Sequence, residues 1–300
     1  MDVSALTTDL AKAGPELFQK NVNEFDFTGI KVYKAVKMPL ALPKISAAGN
    51  PRPYTAADNF EDGALFTDRV LTVNQSKWDF PIDLEDFRNT YLNEFLGKAD
   101  APSGTQFIVD QVSKEYMAAI NDSAMYGGTY NSSGTTAAAL ATGFGTIIAN
   151  EITATTLTPV NTAVISASNA VTEIEKILAG MPAWMLKKNV IIYCSHAVFQ
   201  RYYKHYRATY GFTFQPNPVT GKYSLDGYPN IELTPVSWMG ATGRVIATLP
   251  GNLIMGTDSD RIQVYPTPYL NTIKVRLTMP LGFQIADLEA LVVNDETTIA

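Results

Sequence analysis

Cysteine and histidine are nearly missing from this 300-residue chain, which has one cysteine, Cys194, and two histidines, His196 and His205. A single cysteine excludes a disulfide framework within the chain and a metal site built on several cysteines. Two histidines exclude a histidine-rich metal centre. We therefore expect no cofactor and no metal ion.

Long apolar runs and an excess of positive charge are also lacking. No run approaches the roughly 20 apolar residues of a membrane-spanning helix, and residues 1–14 lack the basic and then apolar pattern of a signal peptide. We expect a soluble intracellular protein without a membrane partner. The net charge of −6 and the pI near 5.0 argue against general nucleic-acid binding by the whole molecule.

Residues 102–128 have the pattern of one long helix, which would be about 40 Å long at the usual helical rise. Ser103 and Gln106 match a capping box at its start. Gly127 and Gly128 predict a left-handed exit at its end. One stripe of the helix is apolar at helical spacing: Val109, Val112, Tyr116, Ile120 and Ala124.

The segments before this helix predict an arm and a hairpin. Residues 1–33 read as two short helical pieces broken at Gly14-Pro15, too small for a core of their own. Residues 30–46 and 69–83 read as two strands joined by a long loop, with few apolar residues to face a core. Such a hairpin is expected to project and to need a partner strand. Residues 83–98 follow as a short amphipathic helix.

The segments after the long helix predict an α+β domain with a mixed sheet. Residues 129–146 read as a surface loop, because they lack the pattern and the lysine of a phosphate-binding loop. Helices are expected at 168–179 and 196–210. Strands are expected at 189–194, 225–236, 244–249, 252–256, 261–265 and 272–278.

Three groups of residues invite a chemical interpretation, and a structural one is favoured for each. Ser195 and His196 are adjacent and point apart, so they make a poor nucleophile and base, whereas Ser195 suits a helix N-cap. Asp83, Glu85 and Asp86 suit the positive end of a helix dipole better than acid–base catalysis. Asp258 and Asp260 lack the rest of a calcium-loop pattern and suit a turn. We expect no catalytic residue and no enzyme activity.

Charge is segregated along the chain. Residues 176–225 contain seven basic residues and no acidic ones, whereas residues 58–100 contain ten acidic residues against four basic ones. Opposite charge of this kind can steer an acidic arm of one subunit onto a basic region of its neighbour. Two ordinary solvated faces are an equal alternative.

The order of parts resembles the HK97-type major capsid protein of tailed phages. RVLTVNQSKWDFPIDLEDF (69–87) is similar to the family's hairpin strand that leads into a helix, and NVIIYCSHAVFQRYYKHY (189–206) to its axial strand and helix. LDGYPNIELTPV (225–236) resembles the turn and strand that follow. GNLIMGTDSDRIQVY (251–265) and MPLGFQIADLEALVV (279–293) resemble its late strands.

The resemblance implies an α+β fold of named parts. These are an N-arm at 1–33, an extended hairpin called the E-loop at 34–82, a peripheral domain at 83–167 with its spine helix at 102–128, and an axial α/β domain at 168–262. The remaining residues, 263–300, would return strands to the peripheral domain and end in a tail. A separate scaffold, or none, is implied rather than a cleaved internal one. No crosslink is predicted for Lys44 or Lys77.

The implied function is a structural one. The chain would assemble with itself into the hexamers and pentamers of an icosahedral shell around double-stranded DNA, bound without sequence specificity. Scaffold, portal or decoration proteins would be its partners, and the virion capsid, assembled in the host cytoplasm, its location. The predicted subunit contacts are Arg52, Tyr54, Phe60, Trp78, Phe214, Asn217 and Lys222.

Two alternatives stay open at this point. An encapsulin-type compartment shares the fold and packages protein cargo, and the helical pieces between Leu6 and Leu17 are compatible with it. A soluble α+β hydrolase that uses Ser195 or His196 is the alternative from another class.

Overall fold

Helices and strands alternate along the chain in the computed structural model, which describes residues 3–24, 29–47, 64–95, 103–211, 214–216 and 221–299. The helices are α1 Val3–Glu24, α2 Leu84–Phe95, α3 Gly104–Ala119, α4 Phe144–Thr153, α5 Ala170–Ala179, α6 Ala183–Leu186 and α7 His196–Tyr210. The strands are β1 Lys31–Tyr33, β2 Leu40–Ala47, β3 Ala64–Leu71, β4 Asn74–Asp83, β5 Val190–Cys194, β6 Ser224–Leu225, β7 Tyr228–Pro235, β8 Ile246–Thr248, β9 Leu253–Gly256, β10 Gln263–Tyr269, β11 Thr272–Ile285 and β12 Leu291–Val293. None of these helices is both long enough and apolar enough to cross a membrane.

The N-terminal segment is one continuous helix, so the prediction of two pieces broken at Pro15 was wrong. Pro15 lies inside α1, where a proline ordinarily costs about 3 kcal/mol. Tertiary packing outweighs that cost, because α1 packs against α3 and β10 of the same chain. Its buried side chains repeat at helical spacing: Leu6, Leu10, Phe18 and Val22.

The spine helix starts as predicted and ends differently. Ser103 caps α3 by accepting a hydrogen bond from the backbone N–H of Gln106, at 3.1 Å. The helix widens into a π-helical turn at Ile120–Ala124. The predicted left-handed exit was wrong, since neither Gly127 nor Gly128 has a positive φ. Gly128 is instead required by crowding, because a Cβ there would overlap the carbonyl oxygens of Ala124 and Ala141.

The first sheet surrounds the long strand β11. β11 pairs antiparallel with β4 along one edge and with β10 along the other, and its last residues pair with β9, which pairs parallel with β1. The predicted strand 69–83 is therefore two strands, because the pairing of β3 with β2 ends at Leu71 and the pairing of β4 with β11 begins at Asn74. Only β4 belongs to the sheet, and its inner face packs on the spine helix.

The E-loop hairpin, defined here as β2 and β3, forms a separate two-stranded sheet. Its register runs from Leu40 opposite Leu71 to Ala47 opposite Ala64. Among the described residues these strands pair only with each other, as expected for a hairpin that leaves the body. The residues between 47 and 64 lie outside the described part of the chain.

The second sheet has the strand order β12-β8-β5-β7-β6 and carries α5 and α7. This sheet does not follow the predicted boundaries. β9, expected in the axial domain at 168–262, pairs with the first sheet, and β12, expected with 263–300, pairs with β8. The chain changes sheets at a turn where Gly251 has a φ of 79°, a conformation that suits glycine.

Helix α4 lies where the sequence predicted a loop up to residue 146. The Thr-, Ala- and Gly-rich composition hides a short apolar stripe of Phe144, Ile147 and Ile148, all buried. The ring of Phe144 lies 5.3 Å from that of Phe283 in β11. Burial of this stripe against the first sheet therefore stabilises α4 as a helix, although the local composition favours a loop.

Candidate assembly surfaces

The root of the E-loop hairpin crosses the first sheet at a pair of glycines. Gly256 in β9 and Gly282 in β11 are directly opposite each other. A Cβ at Gly282 would overlap the carbonyl oxygen of Thr72 and lie 3.1 Å from the Cα of Val73. The chain between β3 and β4 thus passes over the sheet at a distance that only glycine permits.

Apolar contacts at this root are few. Leu42 and Leu71 are buried together with Val36 and Ile254 in a small cluster apart from the two main cores. Polar contacts supplement them. Lys44 forms ion pairs with Asp287 and Glu289, and Arg69 forms one with Glu151. No local signal in the sequence predicts these contacts, because the two partners of each pair lie more than eighty residues apart in the chain.

Trp78 lies on β4, in the sheet rather than on the projecting hairpin where the sequence placed it. Its ring stacks on Tyr116 of the spine helix at 6.0 Å between centroids. Burial raises the pKa of Tyr116 to about 12, and its hydroxyl shares a hydrogen bond with that of Ser76. The structure gives Trp78 an internal role, and its contact with another subunit stays a prediction.

The remaining predicted contacts divide into two groups. Arg52, Tyr54, Phe60 and Asn217 lie outside the described residues, and their roles stay predictions. Lys222 is exposed and forms an ion pair with Glu232 at 2.8 Å. Because this pair lies at the surface, it contributes little to stability.

Phe214 is buried within its own chain. Its ring is enclosed by Tyr202, Tyr206 and Tyr223, with centroid distances of 5.1, 5.2 and 5.5 Å. The hydroxyl of Tyr206 in turn donates a hydrogen bond to Asp226. Phe214 therefore anchors the segment after α7 to the helix itself, and a subunit contact by its ring stays a prediction.

Replacing Phe214 by alanine is expected to destabilise the chain by about 3 kcal/mol, because the change leaves a cavity among three aromatic rings. Denaturant unfolding measures the loss. Tyr228→Ala is the control, since Tyr228 is an aromatic residue of the same domain that is 38% exposed, and we expect a change within about 0.5 kcal/mol. Unchanged stability in Phe214→Ala with loss of assembly would instead identify the ring as a subunit contact.

Ser195 is a helix cap, as the sequence indicated. Its Oγ accepts a hydrogen bond from the N–H of Val198 at 3.3 Å and donates one to the carbonyl of Thr242 at 2.8 Å. The side chain is fully buried, so no substrate can reach the hydroxyl. Cys194 is also buried, and burial raises the pKa of its thiol. Ser195 is therefore not placed to act as the nucleophile of the hydrolase alternative, whereas His196 is exposed at the start of α7.

The acidic groups have structural roles. Asp83 accepts a hydrogen bond from the N–H of Glu85 at 2.8 Å at the start of α2, which supports the helix-start interpretation. Asp260 forms an ion pair with Lys37 at 2.6 Å. Within the described ranges, no group of three histidine, cysteine or acidic side chains is placed to hold a metal ion.

Part of the segregated charge is already paired within the chain. Arg276 and Asp79 form an ion pair at 2.6 Å across neighbouring strands, and Lys176 pairs with Glu173 at 2.9 Å. These pairs reduce the charge left for contacts between subunits. Steering of an acidic arm onto a basic region stays a hypothesis.

The tip of the β10–β11 hairpin is an apolar surface that the sequence analysis missed. Leu270 is 86% exposed, with a φ of 52°, and its neighbour Tyr269 is also exposed. The left-handed region is unfavourable for leucine, so the turn holds an apolar side chain in water at some strain. In the sequence, this surface is indicated only by a leucine that lies between two predicted strands and is followed by Asn271.

Solved structures resemble the chain over almost its full length. The procapsid of satellite phage P4 that includes the size determination (Sid) protein matches with a TM-score of 0.59 and 14% identity, over 96% of this chain and 91% of that chain. The capsid of Myoviridae phage XM1 matches with a TM-score of 0.53 and 11% identity, over 90% of each chain.

The structure of an encapsulin is similar to this chain to a comparable degree. The holo-SrpI encapsulin complex from Synechococcus elongatus PCC 7942 matches with a TM-score of 0.51 and 8% identity, over 92% of this chain and 86% of that chain. No protein-family model and no curated protein sequence matches the chain. At these identities the likeness concerns the fold, and it confirms the predicted HK97-type α+β capsid fold.

Proposed function

We propose that this chain, which has the HK97-type capsid fold, is the major capsid protein of a tailed phage. It would assemble with itself into a closed icosahedral shell that encloses double-stranded DNA. The observation that carries the proposal is the match over 96% of the chain to a phage procapsid subunit.

The assembly mechanism would be geometric. The E-loop hairpin has unpaired strand edges within the described residues and leaves the body at the glycine crossing. It would lie across the spine helix and peripheral domain of a neighbouring subunit, which would cover the exposed edges. The N-arm would contact a further subunit, although its helix α1 packs on its own spine. Axial domains would meet at the centres of hexamers and pentamers.

The shell would surround DNA without reading its sequence. The acidic net charge of the chain suits a wall that does not bind DNA tightly. Scaffold, portal and decoration proteins would be its partners during assembly in the host cytoplasm. The mature location would be the virion capsid.

Purified recombinant chain tests the proposal directly. Light scattering and negative-stain microscopy should detect closed particles, or rings of five or six subunits if a scaffold is required for closure. A monodisperse monomer of 32.7 kDa at all concentrations would overturn the proposal.

A protein compartment of the encapsulin type is the second candidate, supported by the likeness to the Synechococcus encapsulin. The contents of particles purified from the native source decide between the two. Nuclease-protected double-stranded DNA supports the phage shell. A defined protein cargo without such DNA supports the compartment.

A further inference from the structure

The E-loop hairpin is held to the body by very little regular structure. Its strands pair with each other and with no other described strand. Backbone hydrogen bonds of the main sheets therefore do not set its angle to the body. The apolar cluster at its root, which includes Leu42 and Leu71, is small and acts without directional preference.

Two cations of the hairpin are directed at the same surface of the body. Leu42 is opposite Arg69 in the register, and Lys44 is two residues from Leu42, so all three share one face of the hairpin. Leu42 is buried, which shows that this face turns inward. Val70, on the other face, is 47% exposed.

Arg69 contacts two elements of the body at once. Its Nη2 lies 2.7 Å from Oε1 of Glu151 in α4 and donates to Oε1 of Gln284 at 3.0 Å. Its Nε donates to the carbonyl oxygen of Ile285 at 2.7 Å. Gln284 returns a hydrogen bond to the carbonyl of Val70 at 2.8 Å. The planar fork of donors restricts the orientation of the strand that carries it.

Lys44 makes the second attachment, two residues further along the hairpin. Its Nζ lies 2.8 Å from Oδ1 of Asp287 and 2.7 Å from Oε2 of Glu289. Asp287 is itself held in place, because its backbone N–H donates to the side chain of the buried Asn252 at 2.8 Å. The backbone of Asp287 is thus held by a residue of the body and not by the hairpin.

We propose that Arg69 and Lys44 are positioning residues that form an ionic latch between the E-loop hairpin and the body, and that the latch holds the hairpin at one angle. Ion pairs that are partly exposed add little to global stability, so the effect is on orientation. A fixed angle would present the hairpin to a neighbouring subunit in the geometry that a closed shell requires. That consequence rests on the proposed function, whereas the latch itself does not.

Distances between two spin labels test the latch. Asp68→Cys on the outer face of β3 and Ala149→Cys on α4 supply exposed label sites, while the native Cys194 is buried. Labelled chain is diluted into an excess of unlabelled chain, so that only distances within one chain are recorded, whether or not chains have assembled. The parent chain should give one narrow distance distribution.

Removing the latch should widen that distribution. We expect the double variant Arg69→Ala/Lys44→Ala to broaden it at least about twofold. The contacts that remain are the apolar cluster, the hydrogen bond from Gln284 to the carbonyl of Val70 and the crossing at Gly282. They lie at the root of the hairpin and leave the rest of it able to sample several angles. The unfolding temperature should change by only a few degrees. Arg276→Ala is the matched control, since it removes an exposed Arg–Asp pair that does not touch the hairpin, and it should leave the distribution narrow. An unchanged distribution in the double variant overturns the proposal.

Conservative and charge-exchange variants separate positioning from packing. Arg69→Lys keeps the charge and loses the fork, so it should broaden the distribution less than Arg69→Ala. Arg69→Glu should broaden it, and adding Glu151→Arg should narrow it again. If Arg69→Glu and Arg69→Glu/Glu151→Arg both fold and the second distribution is no narrower than the first, a direct ionic contact is contradicted.

Acid should open the latch. Burial raises the pKa of Glu151, but hydrogen bonds from Thr156 and Arg69 outweigh it and hold the pKa below the usual 4.5. When folding lowers the pKa of a carboxyl, the contact is fully stabilising at pH values above the pKa of the unfolded chain. The stabilisation is lost as the pH falls through the pKa of the folded chain. The distribution should therefore stay narrow at pH 7 and broaden only once the pH falls below 4.5, the ordinary pKa of the Glu151 carboxyl. Asp287 and Glu289 face Lys44 in the other attachment. A distribution that stays narrow in acid while the chain remains folded would contradict the latch.

Assembly measured on the same variants separates the two proposals. Broad distances together with a loss of closed shells support both the latch and its use in assembly. Broad distances in a chain whose parent never forms shells support the latch and contradict the proposed function.

Discussion

A chain in which residues 48–63 are replaced by Asn-Gly is expected to fold and to lose most of its ability to form closed shells. Ala47 and Ala64 face each other in the register of β2 and β3, so a two-residue Asn-Gly turn can close the shortened hairpin. The body keeps its two sheets, and its unfolding temperature should shift by only a few degrees. The hairpin loses its reach toward a neighbouring subunit.

The expected loss of assembly is large. We expect the fraction of chain in closed particles to fall at least about tenfold, because a lost contact of only about 1.4 kcal/mol changes an association constant tenfold and a shell repeats that contact in every subunit. Light scattering and negative-stain microscopy measure it. A control with a Gly/Ser segment of the original length shows whether the side chains or the length of the loop are needed. Intact shells from the Asn-Gly variant would contradict the role of the E-loop.

A methyl group added at Gly282 is expected to destabilise the chain by about 3 kcal/mol, the upper range for overpacking. The added carbon of Gly282→Ala would overlap the carbonyl oxygen of Thr72 and press on Val73. The atoms in the way are backbone atoms, so the crossing between β3 and β4 must move as a unit. The hairpin root would shift with it, and assembly should fall as well.

Gly127→Ala is the matched control for this effect. Gly127 has no neighbour within 4 Å of an added Cβ and no positive φ. Its replacement should change the free energy of unfolding by no more than about 0.5 kcal/mol, as is usual at surface positions. Denaturant unfolding of both variants makes the comparison. Equal stabilities would show that the crossing is not held at van der Waals contact.

Local signals in the sequence predicted the elements that depend on neighbours in the chain. The cap at Ser103, the cap at Ser195 and the strand at 189–194 agree with the structure, because each depends on residues within one turn or one strand. The break expected at Pro15 is absent from the structure, since α1 gains more by packing on α3 than one proline costs. Local propensity is a weak guide where tertiary burial opposes it.

For the same reason, the sequence could not predict which strands belong to which of the two sheets. β9 and β12 are short apolar strands, and nothing in their own residues says which sheet they join. Their partners, β11 and β8, are distant in the chain. The contacts of Arg69 with Glu151 and of Lys44 with Asp287 had no local signal either.

The sequence by itself determined the α+β class, the capped spine helix, the axial strand and helix, and the presence of an extended hairpin, since periodicity and end signals are encoded within each segment. Only the tertiary structure decided four other features: the burial of Phe214 among tyrosines, the stacking of Trp78 on Tyr116 of the spine helix, the crossing of the chain over Gly282 and the ionic attachment of the hairpin. These features arise where distant segments meet, and the free energy that selects them comes from packing and charge pairing across the fold.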